Sequence, residues 1–169
     1  KMGIVQADHP LFNILKDHII HCTSIDAYKS ICKDGFIKVN DDSFPYTWEQ
    51  TKASCVYQLG GISLLDFGLP ENEVFFVTDQ KNFSYAWESM LVAHSPMTVI
   101  IKINRDKILD RIMSGKQIRK KIQKCLLIPF VEVCSLEPIP INTFEGIVAV
   151  RSISEFVEVS RENCLSAGL

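Results

Sequence analysis

The sequence lacks several features that would assign it at once to a class of protein. No run of about 18 apolar residues is present, so we expect no membrane-spanning helix. The first residues, K-M-G-I-V-Q, lack the apolar core of a signal peptide, and Lys1 ahead of Met2 is typical of a tag remnant. No internal repeat, low-complexity tract or linker is recognisable. We therefore predict one domain over residues 1–169, with residues 1–18 as a leading helix or tag remnant.

The common catalytic and metal-binding motifs are also missing. The chain has no P-loop, no G-x-G-x-x-G, no G-x-S-x-G and no H-E-x-x-H motif. Its six cysteines are scattered, none forms a C-x-x-C pair, and most have apolar neighbours. We predict that they are reduced thiols of a cytoplasmic protein and that they hold no metal.

What is present is an apolar chain with an uneven distribution of charge. Of 169 residues, 47% are hydrophobic, which is enough for one well-formed core. The net charge is −2, yet the segment Lys102–Lys124 holds nine basic residues and only two acidic ones. Such a segment is either a solvated helix face or a surface for an anionic partner, nucleic acid included. It lacks interleaved aromatic residues, which argues against binding single strands by base stacking.

The stretch from Ile19 to Gly35 contains the clearest local signals. Ile19 and Ile20 predict a short buried strand, and a polar cluster, H-C-T-S, follows where the strand gives way to a helix. Ser24 is suited to cap that helix at its N-terminus, and Gly35 is suited to end it. Of the four histidines, only His21 follows a buried apolar pair and opens a polar strand end, although a structural role for it is equally compatible with the pattern.

The remaining pattern predicts an α+β fold with helices early and strands late. We expect a leading helix within residues 8–18, a short extended piece over 36–39 and a helix over 48–59. The predicted strands cover 62–67, 74–77, 98–103, 128–134, 147–150 and 156–159, with an extended segment at 138–141 and a helix from residue 78 or 79 to about 91.

Two acidic residues fall within predicted strands. Glu132 lies inside P-F-V-E-V-C, where alternation would place it on one face with Phe130 and Cys134. A carboxylate there either faces solvent or is buried with partners, because an unpaired buried charge is costly. In a pocket it could bind a ribose hydroxyl and stabilise positive charge at an anomeric carbon. Asp66, in S-L-L-D-F, is the main competing candidate for a functional carboxylate.

Three elements, in order, resemble the ADP-ribosyltransferases. The opening I-I-H-C-T-S, followed by a helix and D-G-F-I, resembles the H-x-T element that begins the catalytic core of that family. V-F-F-V-T-D-Q-K-N-F-S-Y-A-W resembles the element whose strand aromatic stacks on nicotinamide. V-E-V-C-S-L-E-P-I-P-I-N-T-F-E-G-I-V-A-V resembles the glutamate strand and following segment of the DarT-like, DNA-modifying toxins. The resemblance implies a split, mixed β-sheet with helices packed on the outside.

The resemblance also implies the roles of individual residues. His21 would be a catalytic residue that hydrogen-bonds the ribose of NAD, with Thr23 and Ser24 lining the same side. Phe76 would stack on nicotinamide, in place of a frequent tyrosine, and Tyr57 or Tyr85 would supply a second aromatic wall. The catalytic carboxylate would be Glu132. Each aromatic residue is also compatible with a purely structural role in the core.

The implied function is that of an NAD-dependent ADP-ribosyltransferase of the toxin, effector or defence type. It would transfer ADP-ribose to nucleic acid or protein, and the basic segment is a candidate surface for the acceptor. One alternative is an RNA 2′-phosphotransferase-like enzyme, which shares the H-x-T opening but requires arginines that the early half of this chain lacks. The other is a non-catalytic module that binds a nucleotide or a protein.

Overall fold

The sheet and the helices that flank it define an α+β fold. The computed structural model describes residues 9–40, 52–68, 93–128, 131–160 and 163. The α-helices among these residues are α1 (Pro10–Leu15), α2 (Ile25–Asp34), α3 (Cys55–Gln58) and α4 (Gly115–Lys121), and short 3₁₀ helices lie at Arg105–Lys107, Leu109–Arg111 and Ile141–Thr143. The strands are β1 (Ile19–Ser24), β2 (Phe36–Ile37), β3 (Ile62–Asp66), β4 (Thr98–Ile103), β5 (Ile112–Met113), β6 (Glu132–Ser135), β7 (Ile139–Pro140), β8 (Phe144–Ser152) and β9 (Glu155–Ser160).

Seven strands form one sheet in the order β5-β6-β3-β1-β4-β8-β9, and β2 pairs with β7 in a separate two-stranded sheet. Every pairing between these strands is antiparallel. A parallel contact occurs as an isolated bridge between Ser54 and Leu126. The predicted α+β class is confirmed, whereas the described strands do not form the mixed sheet that was predicted.

The interior strand β4 is covered on both faces. All six of its residues are buried, Thr98 and Lys102 included, because layers pack on either side of the strand. Ile100 packs in a cluster with Leu11, Phe12 and Leu15 of α1. Its neighbours Val99 and Ile101 project to the opposite face, into a cluster with Tyr28 and Ile31 of α2. Each such side chain contributes roughly 1.5–3 kcal/mol when fully buried.

Local sequence signals explain the ends of α2. The hydroxyl of Ser24 accepts a hydrogen bond from the backbone N–H of Ala27 at 3.2 Å, as an N-cap should. Gly35 ends the helix in the left-handed conformation, with φ 85°, and its N–H donates to the carbonyl of Ile31. Both predicted caps are confirmed. The strand before the helix is longer than predicted, because β1 continues through the polar cluster to Ser24.

Three predicted features are corrected. Only Cys55–Gln58 is α-helical within the described part of the helix predicted over 48–59. The strand predicted over 128–134 begins at Glu132, so this residue opens β6 rather than lying within it. Cys55 and Cys125 form a disulfide, so the prediction that all six cysteines are thiols was wrong. The strand predicted over 74–77 and the helix that follows it lie outside the described residues.

Candidate functional site

The main cleft opens where β1 and β3 separate. Their pairing covers only Ile19 with Asp66 and Ile20 with Leu65. Beyond these pairs β1 follows β4 to its end, and β3 follows β6. The strands therefore diverge and leave a cleft of about 370 Å³, within the range of roughly 300–1,000 Å³ typical of small-molecule sites. Its lining includes residues 21–24 on one side and residues 61–63 on the other.

Four of the predicted binding residues line this cleft, namely His21, Thr23, Ser24 and Tyr57. The fifth and sixth, Phe76 and Tyr85, lie outside the described residues, so their predicted stacking role stays a prediction. Tyr57 is more than 30 positions away from His21, Thr23 and Ser24 in the chain. The resemblance placed all four residues in the same site, and the fold brings them together.

His21 is held in one tautomer by the neighbouring strand. Its Nδ1 lies 3.0 Å from the carbonyl oxygen of Ser63, and since a carbonyl only accepts, Nδ1 carries the proton. Burial lowers the pKa of His21 from its ordinary value of 6.5, although the hydrogen bond to Ser63 opposes this shift and nearby His94 adds to it. At neutral pH the ring is uncharged, and Nε2 is an acceptor.

Glu132 lies behind the cleft wall rather than on it. The side chain is only 6% exposed. Oε1 accepts a hydrogen bond from the hydroxyl of Ser63 at 2.8 Å, and Oε2 accepts one from the backbone N–H of Ile128 at 2.7 Å. Ser63 lines the cleft and contacts His21 through its carbonyl. One residue therefore joins the two predicted catalytic side chains.

The environment of Glu132 shifts its pKa above the ordinary value of 4.5. Burial raises the pKa of Glu132, while the hydrogen bonds from Ile128 and Ser63 and the charge of Arg119 act in the opposite direction. A buried carboxylate with neutral donors and a perturbed pKa, next to a cleft, is a frequent arrangement in functional sites.

Asp66 has a different environment. It is 2% exposed and accepts hydrogen bonds from Arg105 Nε, at 3.1 Å to Oδ1 and 3.2 Å to Oδ2. The backbone N–H of Gly68 donates to the same carboxylate at 2.9 Å. Asp66 does not line the cleft. Its contacts are those of a buried structural ion pair rather than of a reactive group.

The wall opposite β1 depends on a close approach at Gly61. A Cβ built on Gly61 would lie 2.2 Å from Cys134 Sγ and 3.1 Å from the carbonyl oxygen of Ser135. A side chain at this position would push β6 away from the start of β3. The adjacent helix α3 completes the wall, and the lining residues from this part of the chain include Ser54, Val56 and Tyr57.

Sequence reasoning missed several members of the site. Ser63 gave no signal, because its link to Glu132 spans 69 positions in the sequence. His94 lies in a bend before β4 and lines the cleft, and burial lowers its pKa from 6.5. The helix α2 and the segment after it add further lining residues, among them Ala27, Ser30, Asp34, Lys38 and Asn40.

The basic segment is divided by the fold. Lys102 is buried in β4 and paired with Glu158, and Arg105 is paired with Asp66. Lys107 is exposed in a 3₁₀ helix, and a group of five exposed cations lies on α4 and the turn after it, namely Lys116, Arg119, Lys120, Lys121 and Lys124. From Ile112 to Ile128 the sequence contains no acidic residue. We call the five cations of this stretch the α4 basic surface.

The cleft offers hydrogen-bonding groups rather than metal ligands. Within the described ranges, no group of three or more His, Cys, Asp or Glu side chains could hold a metal ion. A neutral imidazole, hydroxyl groups and a nearby carboxylate suit a ligand that carries several hydroxyls, such as a ribose.

Comparison with known proteins found no matching family model, curated protein or solved structure.

No helix among the described residues is long and apolar enough to cross a membrane. The cytoplasmic location stays a prediction.

Proposed function

We propose that this protein is an NAD-dependent ADP-ribosyltransferase whose site is the cleft at the split of the sheet. The observation that supports this most strongly is the connection made by Ser63, which contacts His21 through its carbonyl and Glu132 through its hydroxyl. The two side chains that the resemblance assigns to catalysis lie on different strands, and one cleft-lining residue joins them.

In this proposal each cleft residue has a defined role toward NAD. His21 Nε2 accepts a hydrogen bond from a ribose hydroxyl, since Nδ1 is already committed to Ser63. Thr23 lines the same side. Ser24 adds its backbone, because its hydroxyl already caps α2. Tyr57 provides an aromatic wall, and we retain Phe76 and Tyr85 as the proposed stacking partners of the nicotinamide ring.

The reaction breaks one bond and forms one. The bond between the anomeric carbon and the nicotinamide nitrogen breaks, and nicotinamide leaves with the electron pair. The positive charge that develops on the sugar is stabilised by the carboxylate of Glu132, which exchanges its bond to Ser63 for one to a ribose hydroxyl. An acceptor nucleophile then bonds to the anomeric carbon and releases its proton.

We further propose that the α4 basic surface binds the acceptor. It contains five cations with no acid between Ile112 and Ile128, and α4 packs against both β6 and α3. The surface is therefore close to Glu132 at the start of β6 and to the cleft wall. Its charge fits a nucleic acid or an acidic protein.

The test of the main proposal is nicotinamide release from NAD by the wild type, Glu132→Gln and the matched control Glu137→Gln. Glu137 is exposed and lies just beyond the same strand. We expect release by the wild type and Glu137→Gln and a loss of about 100-fold or more in Glu132→Gln. Equal release by Glu132→Gln and the wild type would reject the role given to Glu132.

The acceptor surface is tested separately with Lys120→Glu/Lys121→Glu against Lys29→Glu/Lys33→Glu on α2, where the lysines are also exposed. If the acceptor is nucleic acid, the first pair weakens binding and lowers the slope of log affinity against log salt by roughly one for each phosphate that the protein ceases to bind. Equal effects of the two double substitutions would show that α4 is not part of the surface that binds the acceptor.

A non-catalytic nucleotide-binding module is the second candidate, and one observation favours it. Both oxygens of Glu132 are occupied by hydrogen bonds, so the carboxylate is not directed into the cleft. Tight binding of NAD without release of nicotinamide would support this alternative over the transferase. The RNA 2′-phosphotransferase alternative has less support, because no arginine occurs among the described residues that line the cleft.

A further inference from the structure

The cleft wall formed by α3 cannot be stable by itself. The helix contains only four residues, Cys55–Gln58, and an isolated helix of that length does not persist in water. The preceding residues, Lys52 and Ala53, are exposed, and Ser54 is half-buried. Whatever holds α3 in place therefore determines whether Ser54, Val56 and Tyr57 can line the cleft.

Part of the support comes from one short segment about 70 positions away. The backbone N–H of Cys55 donates to the carbonyl of Leu126 at 2.8 Å, and the N–H of Leu126 donates to the carbonyl of Ala53 at 2.7 Å. The Cys55–Cys125 disulfide joins the same two segments covalently. Leu126 is 54% exposed, so burial of its own side chain does little to stabilise its contact with residues 53–55.

The same segment is connected to α4. Arg119 Nη1 donates to the carbonyl of Cys125 at 2.9 Å. The disulfide therefore links the cleft wall to the helix that carries the α4 basic surface. Loss of the covalent bond would leave α3 held by the two backbone hydrogen bonds to Leu126 and by the packing of Val56 in a buried cluster with Ile118 of α4.

The two sulfurs differ in access. Cys55 is fully buried and Cys125 is half-buried. Cys134 packs in the same buried cluster as Cys55, and burial raises the pKa of its thiol to about 11. Cys134 is thus protonated at neutral pH and a poor nucleophile. An external thiol would reach Cys125 first.

We propose that the Cys55–Cys125 disulfide is a redox switch that orders the α3 wall of the cleft. This proposal rests on the proposed function for the identity of the ligand, NAD. A dithiol reductant attacks Cys125 Sγ, and Cys55 leaves as a thiolate that takes up a proton. The second thiol of the reductant then displaces Cys125, so that the reductant is oxidised to a disulfide and the protein gains two thiols. The reduced chain has a mobile wall and binds NAD weakly.

The experiment measures hydrogen exchange and NAD affinity of the same samples, with and without dithiothreitol. We compare the wild type with Cys55→Ala/Cys125→Ala and with Cys32→Ala, which removes a half-buried thiol from α2. In the wild type and in Cys32→Ala, reduction should accelerate exchange at residues 53–59 by roughly tenfold and leave β4 unchanged. The double variant should exchange fast with or without reductant.

NAD affinity should depend on how well the α3 wall is ordered, and it should fall by roughly tenfold on reduction. Equal exchange at residues 53–59 in the oxidised and reduced wild type would overturn the switch, as would mass spectrometry that finds Cys55 and Cys125 as free thiols in air-oxidised protein. Redox-dependent exchange without any binding of NAD would reject the proposed function and leave the switch standing. Unchanged affinity together with redox-dependent exchange would show that the wall does not control the cleft.

Discussion

Asp66 and Glu132 are both buried carboxylates on neighbouring strands, yet the protein stabilises them differently. Asp66 accepts a bifurcated hydrogen bond from the Nε–H of Arg105, so its charge is compensated by a fixed opposite charge. Within the part of the chain that the structure describes, Glu132 accepts hydrogen bonds from a hydroxyl and a backbone N–H. Among the residues that the structure describes, none forms an ion pair with it.

This difference between a charged partner and neutral donors decides what each acid can do. The charge of Asp66 is useful only while Arg105 stays in place, since breaking a buried pair leaves an uncompensated charge. Neutral donors, by contrast, can be exchanged for ligand hydroxyls without leaving an unpaired ion. Ser63, which supplies one of the donors to Glu132, also lines the cleft. The comparison therefore describes Asp66 as a structural acid and is compatible with the ligand chemistry that we propose for Glu132.

The largest effect on stability is expected for Asp66→Asn. It leaves the partly buried guanidinium of Arg105 without its counter-charge, and we expect a loss of about 3 kcal/mol in the free energy of unfolding. Urea unfolding followed by circular dichroism measures it. Arg105→Met is the control, because it removes the positive charge of the same ion pair. A loss for Asp66→Asn no larger than that for Glu132→Gln would abolish the distinction between the two acids.

The next effect concerns the close approach beside Glu132. Gly61→Ala places a methyl group against Cys134 Sγ and the carbonyl of Ser135, and overpacking of this kind costs about 2 kcal/mol. The double variant Gly61→Ala/Cys134→Ala should recover part of that loss, because it removes the nearer of the two contacts. A double variant whose loss equals the sum of the two single losses would show that the contact does not exist.

A smaller effect is expected for Ser63→Ala. It deletes one hydrogen bond to Glu132 and should reduce the free energy of unfolding by about 1 kcal/mol. Because that bond favours the charged carboxylate, the pKa of Glu132 should rise further. Carbon-detected NMR titration of the Glu132 carboxyl measures the pKa, with Ser63→Thr as the variant that keeps the hydroxyl. An unchanged pKa of Glu132 in Ser63→Ala would show that Ser63 does not stabilise the charged carboxylate.

The smallest effect is the pH dependence due to His21. The pKa of His21 is lower in the folded than in the unfolded protein, so the unfolded state takes up more protons as the pH falls below 6.5, and folding stability decreases. His21→Asn cannot be protonated and should lessen this decrease, measured as urea midpoints between pH 7.5 and pH 5. His18→Asn is the matched control. Identical pH profiles of the wild type and His21→Asn would contradict the buried neutral imidazole.

The sequence predicted those parts of the fold that local signals determine. The caps at Ser24 and Gly35 and the strand Thr98–Ile103 were correct, because capping chemistry and an apolar run act over a few residues. The site was predictable only in part. His21 and Glu132 were singled out by their positions in the pattern and given predicted roles by resemblance, whereas the intervening Ser63 was not, because it becomes relevant only when β3 pairs with β6.

The disulfide shows the same limit. Cys55 and Cys125 are 70 positions apart, and nothing in the spacing of the six cysteines selects this pair. The extent of β6 was also misjudged, because the alternation of P-F-V-E-V-C predicts a strand without revealing that Ile128 and Glu132 close a turn before it. Pairings between distant segments depend on the assembled sheet rather than on local pattern.

The most direct test of the central claim is the response of the histidine side chains to NAD, measured by NMR of ¹⁵N-labelled imidazoles. His21 lines the cleft, whereas His18 lies at the other end of β1, with Nδ1 2.8 Å from the Lys16 carbonyl and Nε2 2.8 Å from Glu145. We predict that NAD shifts the Nε2 signal of His21 and leaves both signals of His18 unchanged. A saturating titration that leaves His21 unchanged would contradict the account.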